Sequence, residues 1–560
     1  MNTDMSDKYR NPLFFLFILL PVFIYLIYSW SLSEPLFFSD DFHLLKTVLW
    51  VGEEPSFLGK VQLFLQQHNE HRIVIPRLIT YINYLIFGHI NWPVLILLGN
   101  VLWVAILWFF WKSFRVSGAA IWLFIPAPLI MLNPQYYDNV TWSISILQQS
   151  VIVFWFVVLS YLCSKEKYKA ALVVCLIATF THGNGIFSFL IALLFTFYDR
   201  NWKWSGIIAG AWVLTGILYF FNFSKGQNAD FMQSLSDPVR LISCFFAFFG
   251  SLSKVRFADP MAAVFIGMAF YLALAAFIIT RFFYFQKRNL ALPWTVKMVA
   301  GIFAFLSITG ALVSVSRSWG GIETIIAPRY QHYSSFVACL VYLVLISVLT
   351  CKTRKIVGVT GIVGGLLFNA LSYFSYTEEL LYRRDWLLAD DTNWTHHSNF
   401  LIYGASFNTN IRLEYQRVVQ KGICISGDHF GHIQEDSLQA NQAAKPINLQ
   451  YEHFTKEEKD ASRSYNRDYI AISNDNLDEK SIFIYLKPQN GAQGYWLACR
   501  KSHSGIFDFL KTGKWLKPGF SVEFLTENLS PGDYQIAILR KNRLSWTSTN
   551  VTITAPAPVK

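Results

Sequence analysis

The residues best equipped for chemistry lie in a few short polar clusters set among long apolar blocks. Phe38-Ser39-Asp40-Asp41-Phe42-His43 places two carboxylates among apolar neighbours. At a low-dielectric boundary, burial raises a carboxyl pKa and suits it to act as a general base. The plainer alternative is a pair of solvated loop acids. A second cluster, Gln66-Gln67-His68-Asn69-Glu70-His71-Arg72, runs into Ile73-Val74-Ile75-Pro76-Arg77. The guanidinium groups of Arg72 and Arg77 suit two-pronged contacts to a phosphate or pyrophosphate, with Glu70 and His71 beside them. His68 and His71 are three apart, as on one helical face, and with an aspartate they make a weaker metal-ligand set. An interface anchor touching ordinary lipid headgroups is the alternative.

Three more clusters follow. Asn133-Pro134-Gln135-Tyr136-Tyr137-Asp138-Asn139 carries a carboxylate at Asp138, with Trp142, Gln148 and Gln149 just beyond. Thr181-His182-Gly183-Asn184-Gly185 interrupts apolar sequence, and such a break is tolerated only where protein or a water cavity covers it. His182 and Asn184 would then face that cavity, whereas simple turn chemistry is the competing account. The last cluster runs from Ser316-Arg317-Ser318-Trp319 to Ala327-Pro328-Arg329-Tyr330-Gln331-His332-Tyr333. Arg329 and Tyr330 open a helix at its N-terminal end, where the helix dipole also favours an anion. An arginine there is costly without a partner, which favours a functional role.

The elements that position these clusters are set by composition. The chain has 560 residues, 53% hydrophobic and 17% aromatic, with only 15% charged. A soluble chain carries roughly 25% charge, and here the apolar residues come in unbroken blocks of membrane-spanning length. The net charge of +11 is dispersed in short basic clusters between those blocks, a positive-inside pattern rather than a nucleic-acid patch. Nucleic acid is therefore not an expected partner. Of the seven cysteines, Cys424 and Cys499 fall in the polar C-terminal region and could pair in an oxidising compartment.

Lys8 and Arg10 put the N-terminus on the cytoplasmic side, before a retained first helix from Pro12 to Leu32. The next span, Pro93 to Trp111, ends at Lys112 and Arg115, so residues 33–92 form an external first loop and Ile73 to Gly88 is an interfacial helix. Further blocks lie near 118–132, 144–163, 170–182, 185–198, 205–223, 261–281, 298–315, 332–350 and 356–374. Together they make about eleven crossings and leave the C-terminus outside. Residues 240–252 break the alternation and are expected to be re-entrant or interfacial.

After Ser375 the sequence turns polar. Residues 376–465 form an external region of amphipathic helix and linker. Residues 466–560 show short alternating runs, Ser481 to Leu486, Val522 to Leu525 and Tyr534 to Leu539, separated by Gln489-Asn490-Gly491 and Ser530-Pro531-Gly532-Asp533. That pattern is expected of a small β-sandwich. The fold class is thus an α-helical polytopic membrane protein, residues 1–375, with a C-terminal external α+β region ending in the sandwich.

Under this threading every polar cluster falls on the external face, where it could form a membrane-level cavity for an anionic lipid carrier and a sugar. Over residues 10–375 the chain resembles the multi-spanning glycosyltransferases of the GT-C fold, which include protein mannosyltransferases and aminoarabinose transferases. The likeness is carried by Asp40-Asp41 after the first helix, Phe87-Gly88 before the second span and the Tyr136-to-Asp138 loop. His182-Gly183-Asn184-Gly185 and Pro328-Arg329-Tyr330 then follow in the same order, and the block from Gln67 to Arg77 is similar to one in bacterial members. The resemblance implies transfer of a sugar from a polyprenyl-phosphate-linked donor to a cell-surface glycan or lipid acceptor. It implies a bacterial inner membrane, with the C-terminal domain periplasmic or extracellular and membrane lipids as surroundings. Asp40 or Asp41, with Asp41 preferred, would be the catalytic base, and Arg72, Arg77 and Arg329 would hold the lipid phosphate. Some GT-C enzymes use a divalent metal and others do not, so metal use stays open. The C-terminal domain is similar to accessory domains of bacterial surface-glycan enzymes. The competing assignment is an O-antigen polymerase or a lipid-linked glycan flippase or transporter. A flippase should carry polar residues deep in several helices, whereas these apolar blocks read as mostly clean.

Overall fold

Long apolar runs without internal partners for their side chains become helices, because in lipid only a helix or a closed barrel satisfies every backbone group. The computed structural model describes residues 4–224, 230–257, 259–433, 447, 449–459, 464–478, 482–540 and 542–554. Its contacts separate two units: Met1–Ser33, Val51–Ile82 and Pro93–Tyr376 in the first, and Glu34–Trp50, Asn83–Trp92 and Thr377–Lys560 in the second.

Among the described residues nine helices are long and apolar enough to cross a membrane: Pro12–Ser31, Trp92–Val116, Ser143–Ser164, Trp202–Phe220, Pro238–Val255, Met261–Lys287, Trp294–Gly320, Pro328–Val348 and Cys351–His397. Their apolar side chains point both ways. Tyr25, Trp103, Ile106, Phe305 and Phe336 fill the core of the first unit, while Leu16, Ile27, Val213 and Leu367 are exposed. A helix apolar on all sides is what a multi-pass membrane protein requires.

The expected spans differ from these in three places. The block at 118–132 is broken into the short helices Ile121–Phe124 and Pro126–Met131, because Pro126 and Pro128 lack the amide donors a continuous helix needs. The helices Tyr168–Thr179 and Ser188–Tyr198 have 12 and 11 residues, short of a full crossing. Conversely, residues 240–252, expected to be re-entrant or interfacial, fall in Pro238–Val255, one of the nine. Gly250 and Gly267 explain its packing: a Cβ on either would strike backbone of the facing helix, so this pair brings Pro238–Gly250 and Met261–Lys287 into close contact. The stretch expected to be an interfacial helix is helical over Val74–Phe87.

Basic helix ends in the first unit gather together. Lys112 lies over the Trp108 and Tyr161 rings, Lys165 over Trp294, and Lys297 bonds Asp199 at 2.6 Å. These contacts bring the helix ends at Lys112, Lys165 and Lys297 close together.

The second unit is built on two antiparallel sheets. The strands are β1 (Gln450–Lys459), β2 (Ser464–Asn474), β3 (Phe483–Pro488), β4 (Tyr495–Ala498), β5 (Phe520–Leu525), β6 (Gly532–Arg540) and β7 (Arg543–Ile553). The sheet orders are β1-β2-β5 and β4-β3-β6-β7. Ile470, Ile472, Val522 and Phe524 of one sheet share a core with Ile484, Leu486, Ile536 and Ile538 of the other. This is the expected sandwich. Its first strand begins at Gln450, ahead of the expected boundary at 466. β1 is an edge strand, paired with β2 alone among the described residues, and its run Lys456-Glu457-Glu458-Lys459 hides the alternation by which the other strands are visible. The opposite face of the four-stranded sheet, through Phe483, Tyr485 and Trp496, packs on Phe430 and Ala389. Ser481, at the start of one expected strand, and residues 434–446 of the expected linker lie outside the described residues. Cys424 and Cys499 are both buried free thiols.

Candidate functional site

In the first unit the polar residues assemble from loops and helix breaks. His68 and His71 are not on a helix. Their backbones pair across a two-residue turn, His68 N to His71 O at 2.7 Å and the reverse at 2.8 Å, with Asn69 at φ 48°. A left-handed position is one that asparagine tolerates. The shared helical face expected for this pair is therefore absent, and the turn instead projects Glu70 and His71. Glu70 pairs with Arg317 at 3.7 Å. The His71 ring lies 4.3 Å from the His182 ring, centroid to centroid. His71 also presses on Gly183, where a Cβ would strike its Nδ1, so this glycine is required for the contact.

From His182 a chain of hydrogen bonds runs inward. Gln149 Nε2 lies 3.2 Å from His182 Nε2, and His182 Nδ1 lies 2.8 Å from Asn184 Oδ1 and 3.4 Å from the Asn184 amide nitrogen. Asn184 Nδ2 in turn donates to Thr309 Oγ1 at 2.9 Å. Gln149 sits in a π-helical turn, Ile146–Ser150, a distortion frequent at functional sites. Its backbone carbonyl accepts from His332 Nε2 at 3.1 Å, while His332 Nδ1 accepts from Asn139 Nδ2 at 2.8 Å. Both ring nitrogens of His182 and of His332 are thus engaged. Burial, followed by the Arg317 charge, pulls the His71 pKa down to about 4; burial, followed by His71, pulls His182 to about 3. Both stay uncharged near neutral pH. The helices thus carry more buried polar residues than their sequence suggested.

The arginines divide into two kinds. Arg72 donates to the backbone carbonyls of Leu65, Tyr219 and Phe221, and Arg77 to those of Phe64 and Gln66. Here both act as ties that hold the loop before Val74–Phe87 rather than as open phosphate ligands. Arg329 lies beside the Tyr330 ring, 5.2 Å from its centroid, and its carbonyl accepts from Asn139. Asp138 is half-buried in the first turn of the helix Tyr137–Thr141. No group of three or more His, Cys, Asp or Glu side chains is placed to hold a metal ion among the described residues.

The acidic pair belongs to the second unit. Ser39–Asp41 forms a single 3-10 turn leading into the helix Phe42–Glu53. Asp41 is buried, 2% exposed, and its Oδ2 accepts from the Phe38 amide at 3.2 Å. Asp40 is half-buried, the more accessible of the two. Ser39 is held at φ 49°, a conformation costing a non-glycine residue roughly 1–2 kcal/mol. Its amide donates to Tyr403 Oη at 2.7 Å. The Tyr403 loop is itself fixed, because buried Asp390 accepts from the amides of Leu401 and Ile402 at 2.8 and 3.3 Å. Burial, reinforced by the Asp390 and Asp41 charges, pushes the Tyr403 phenol above its usual pKa, so it stays protonated. The Arg383 guanidinium lies 4.4 Å from the Phe38 ring centroid, placing positive charge beside the turn.

The sequence clusters held Gln149, Asn139, Arg317 and His332 without giving them partners, whereas Tyr403 lay outside every cluster and is brought in by the fold. Arg317, near the end of an apolar helix, carried the one usable signal: a charge in a span needs a partner. Searches for relatives give nothing further: no protein-family model, curated protein or solved structure matches this chain.

Proposed function

We propose that the chain is a membrane glycosyltransferase, moving a sugar from a polyprenyl-phosphate donor to a cell-surface glycan or lipid acceptor on the outer face of a bacterial cytoplasmic membrane. The observation that carries this assignment is the acidic turn. Two carboxylates follow the first apolar helix, one capped and buried, the other accessible, on backbone strained at Ser39 and braced by Tyr403. Non-glycine residues kept in such a conformation concentrate at functional sites. In this mechanism Asp40 takes the proton from an acceptor hydroxyl. The hydroxyl oxygen then bonds the anomeric carbon as the bond to the lipid phosphate breaks, with inversion. Asp41 fixes the turn. Asp40 thus replaces Asp41 as the preferred base, because Asp41 is buried and already accepts a backbone bond. Arg329, at the start of the helix Pro328–Val348, keeps its place as a candidate for the lipid phosphate.

A second assignment, a lipid-linked glycan flippase, is favoured by the buried polar chain through His182, Gln149 and His332. Those groups bond to one another rather than to an open path, which weighs against it. The test is lipid analysis of a strain lacking the chain. A transferase leaves its polyprenyl-phosphate-linked monosaccharide donor accumulating and the surface glycan short of one sugar type. Accumulation of a completed lipid-linked oligosaccharide instead would favour the flippase or polymerase.

A further inference from the structure

The basic end of the first unit contains a cavity of about 230 Å³ between the helices Trp92–Val116, Met261–Lys287, Trp294–Arg317 and Pro328–Val348. Its depth is apolar, formed by Phe110, Phe114, Leu340 and Val344, and its polar lining is Arg281 with the hydroxyls of Ser113, Ser117, Thr295 and Ser347. A second cavity of about 190 Å³ flanks the next face of the same long helix, lined by Ile278, Phe282, Leu194 and Phe195. Phe277, Arg281 and Phe285 recur every four residues along one face, and Ile278 and Phe282 along its neighbour. Leu272, Ile279 and Phe283, on the remaining faces, are more than half exposed. The C-terminal half of Met261–Lys287 is thus flanked by apolar space on two sides.

Arg281 lies 5.9 Å from the Phe277 ring centroid and has no carboxylate partner among the described residues. A guanidinium on an apolar helix calls for an anion. We infer that the Arg281 cavity is a binding site for an anionic glycerophospholipid: its phosphate on Arg281, one acyl chain in the larger cavity and the second along the smaller. The two-cavity arrangement favours a two-chain lipid over a single-chain polyprenyl phosphate, and the charge favours an anionic headgroup over a zwitterionic one. Nothing in this site depends on the transfer reaction.

Native mass spectrometry of the purified full chain tests it, with phosphatidylglycerol and phosphatidylcholine of matched acyl chains titrated separately. The wild type should retain phosphatidylglycerol at least tenfold better. Arg281→Gln should abolish that preference, and Val344→Trp, filling the apolar depth, should weaken retention of both lipids while the melting temperature holds. Equal retention of the two lipids by the wild type overturns the proposal without recourse to any variant. So does displacement of phosphatidylglycerol by equimolar polyprenyl phosphate, or an undiminished preference in a folded Arg281→Gln protein.

Discussion

The histidine chain of the first unit and the acidic turn of the second are held in opposite ways. In the chain, the ring nitrogens of His182 and His332 are engaged by amides or carbonyls. Such a network specifies geometry and has little proton-transfer capacity to spare. In the turn, Asp41 is buried and accepts a backbone amide, Asp40 is half-buried, and Ser39 takes a left-handed conformation. Under the proposed function, density of polar residues does not locate the chemistry. A strained, braced and partly open group is the better guide.

The largest separation between the two regions should come from paired carboxylate variants. Asp40→Asn should lower sugar transfer at least about 100-fold, the lower end for loss of a general base, with an unchanged melting temperature. Asp41→Asn should weaken the cap, at a stability cost of about 1 kcal/mol, and lower transfer less. Equal loss from both without any change in stability would erase the distinction between base and cap.

Next in size is Arg72→Ala. It strands several buried carbonyls and should destabilise the protein by roughly 2–3 kcal/mol, read from thermal unfolding in detergent. Arg72→Lys should recover less than half, since an ammonium cannot span three carbonyls. Full stability together with weaker lipid-phosphate binding would return Arg72 to the role of phosphate ligand.

Gly183→Ala should be destabilising because the new methyl meets the His71 ring. Adding His71→Ala should recover part of the loss, and a coupling of about 0.5 kcal/mol or more would report the contact. Additive effects would show that the ring is free to move aside.

The smallest effects carry opposite signs in pH. His71 and His182 have pKa values lowered to about 4 and about 3 when folded, so the unfolded chain binds protons first as pH falls below about 6.5. Their contribution to stability is present above that pH and is lost toward the folded values. His429 is the reverse: its hydrogen bond to Asp391 raises its pKa above the usual histidine value. Its contribution is present below about 6.5 and is lost as pH rises through the raised value. Melting temperatures across pH should show His71→Gln/His182→Gln flattening the acid side and His429→Gln the alkaline side.

Apolar block length revealed most of the helices, and period-two alternation revealed β3, β5 and β6. What escaped has specific causes. Pro126 and Pro128 cut a block whose hydropathy alone reads as a span, and the lysine- and glutamate-rich β1 shows no alternation. Gln149 reaches His182 only through a π-helical turn that no local pattern announces. Arg72 is legible as a charge near a membrane, but its carbonyl partners at Leu65, Tyr219 and Phe221 come from folding. The acidic pair was legible as a pair; which member is capped depends on a backbone turn.

Mass spectrometry of the surface glycan tests the central claim most directly. The strains to compare lack the chain or carry it as wild type, Asp40→Asn or Asp41→Asn at matched membrane levels. The account predicts that one sugar increment is lost in the deletion and in Asp40→Asn, restored by wild type and partly retained in Asp41→Asn. A full increment in the Asp40→Asn strain, with loss in the deletion, would contradict it.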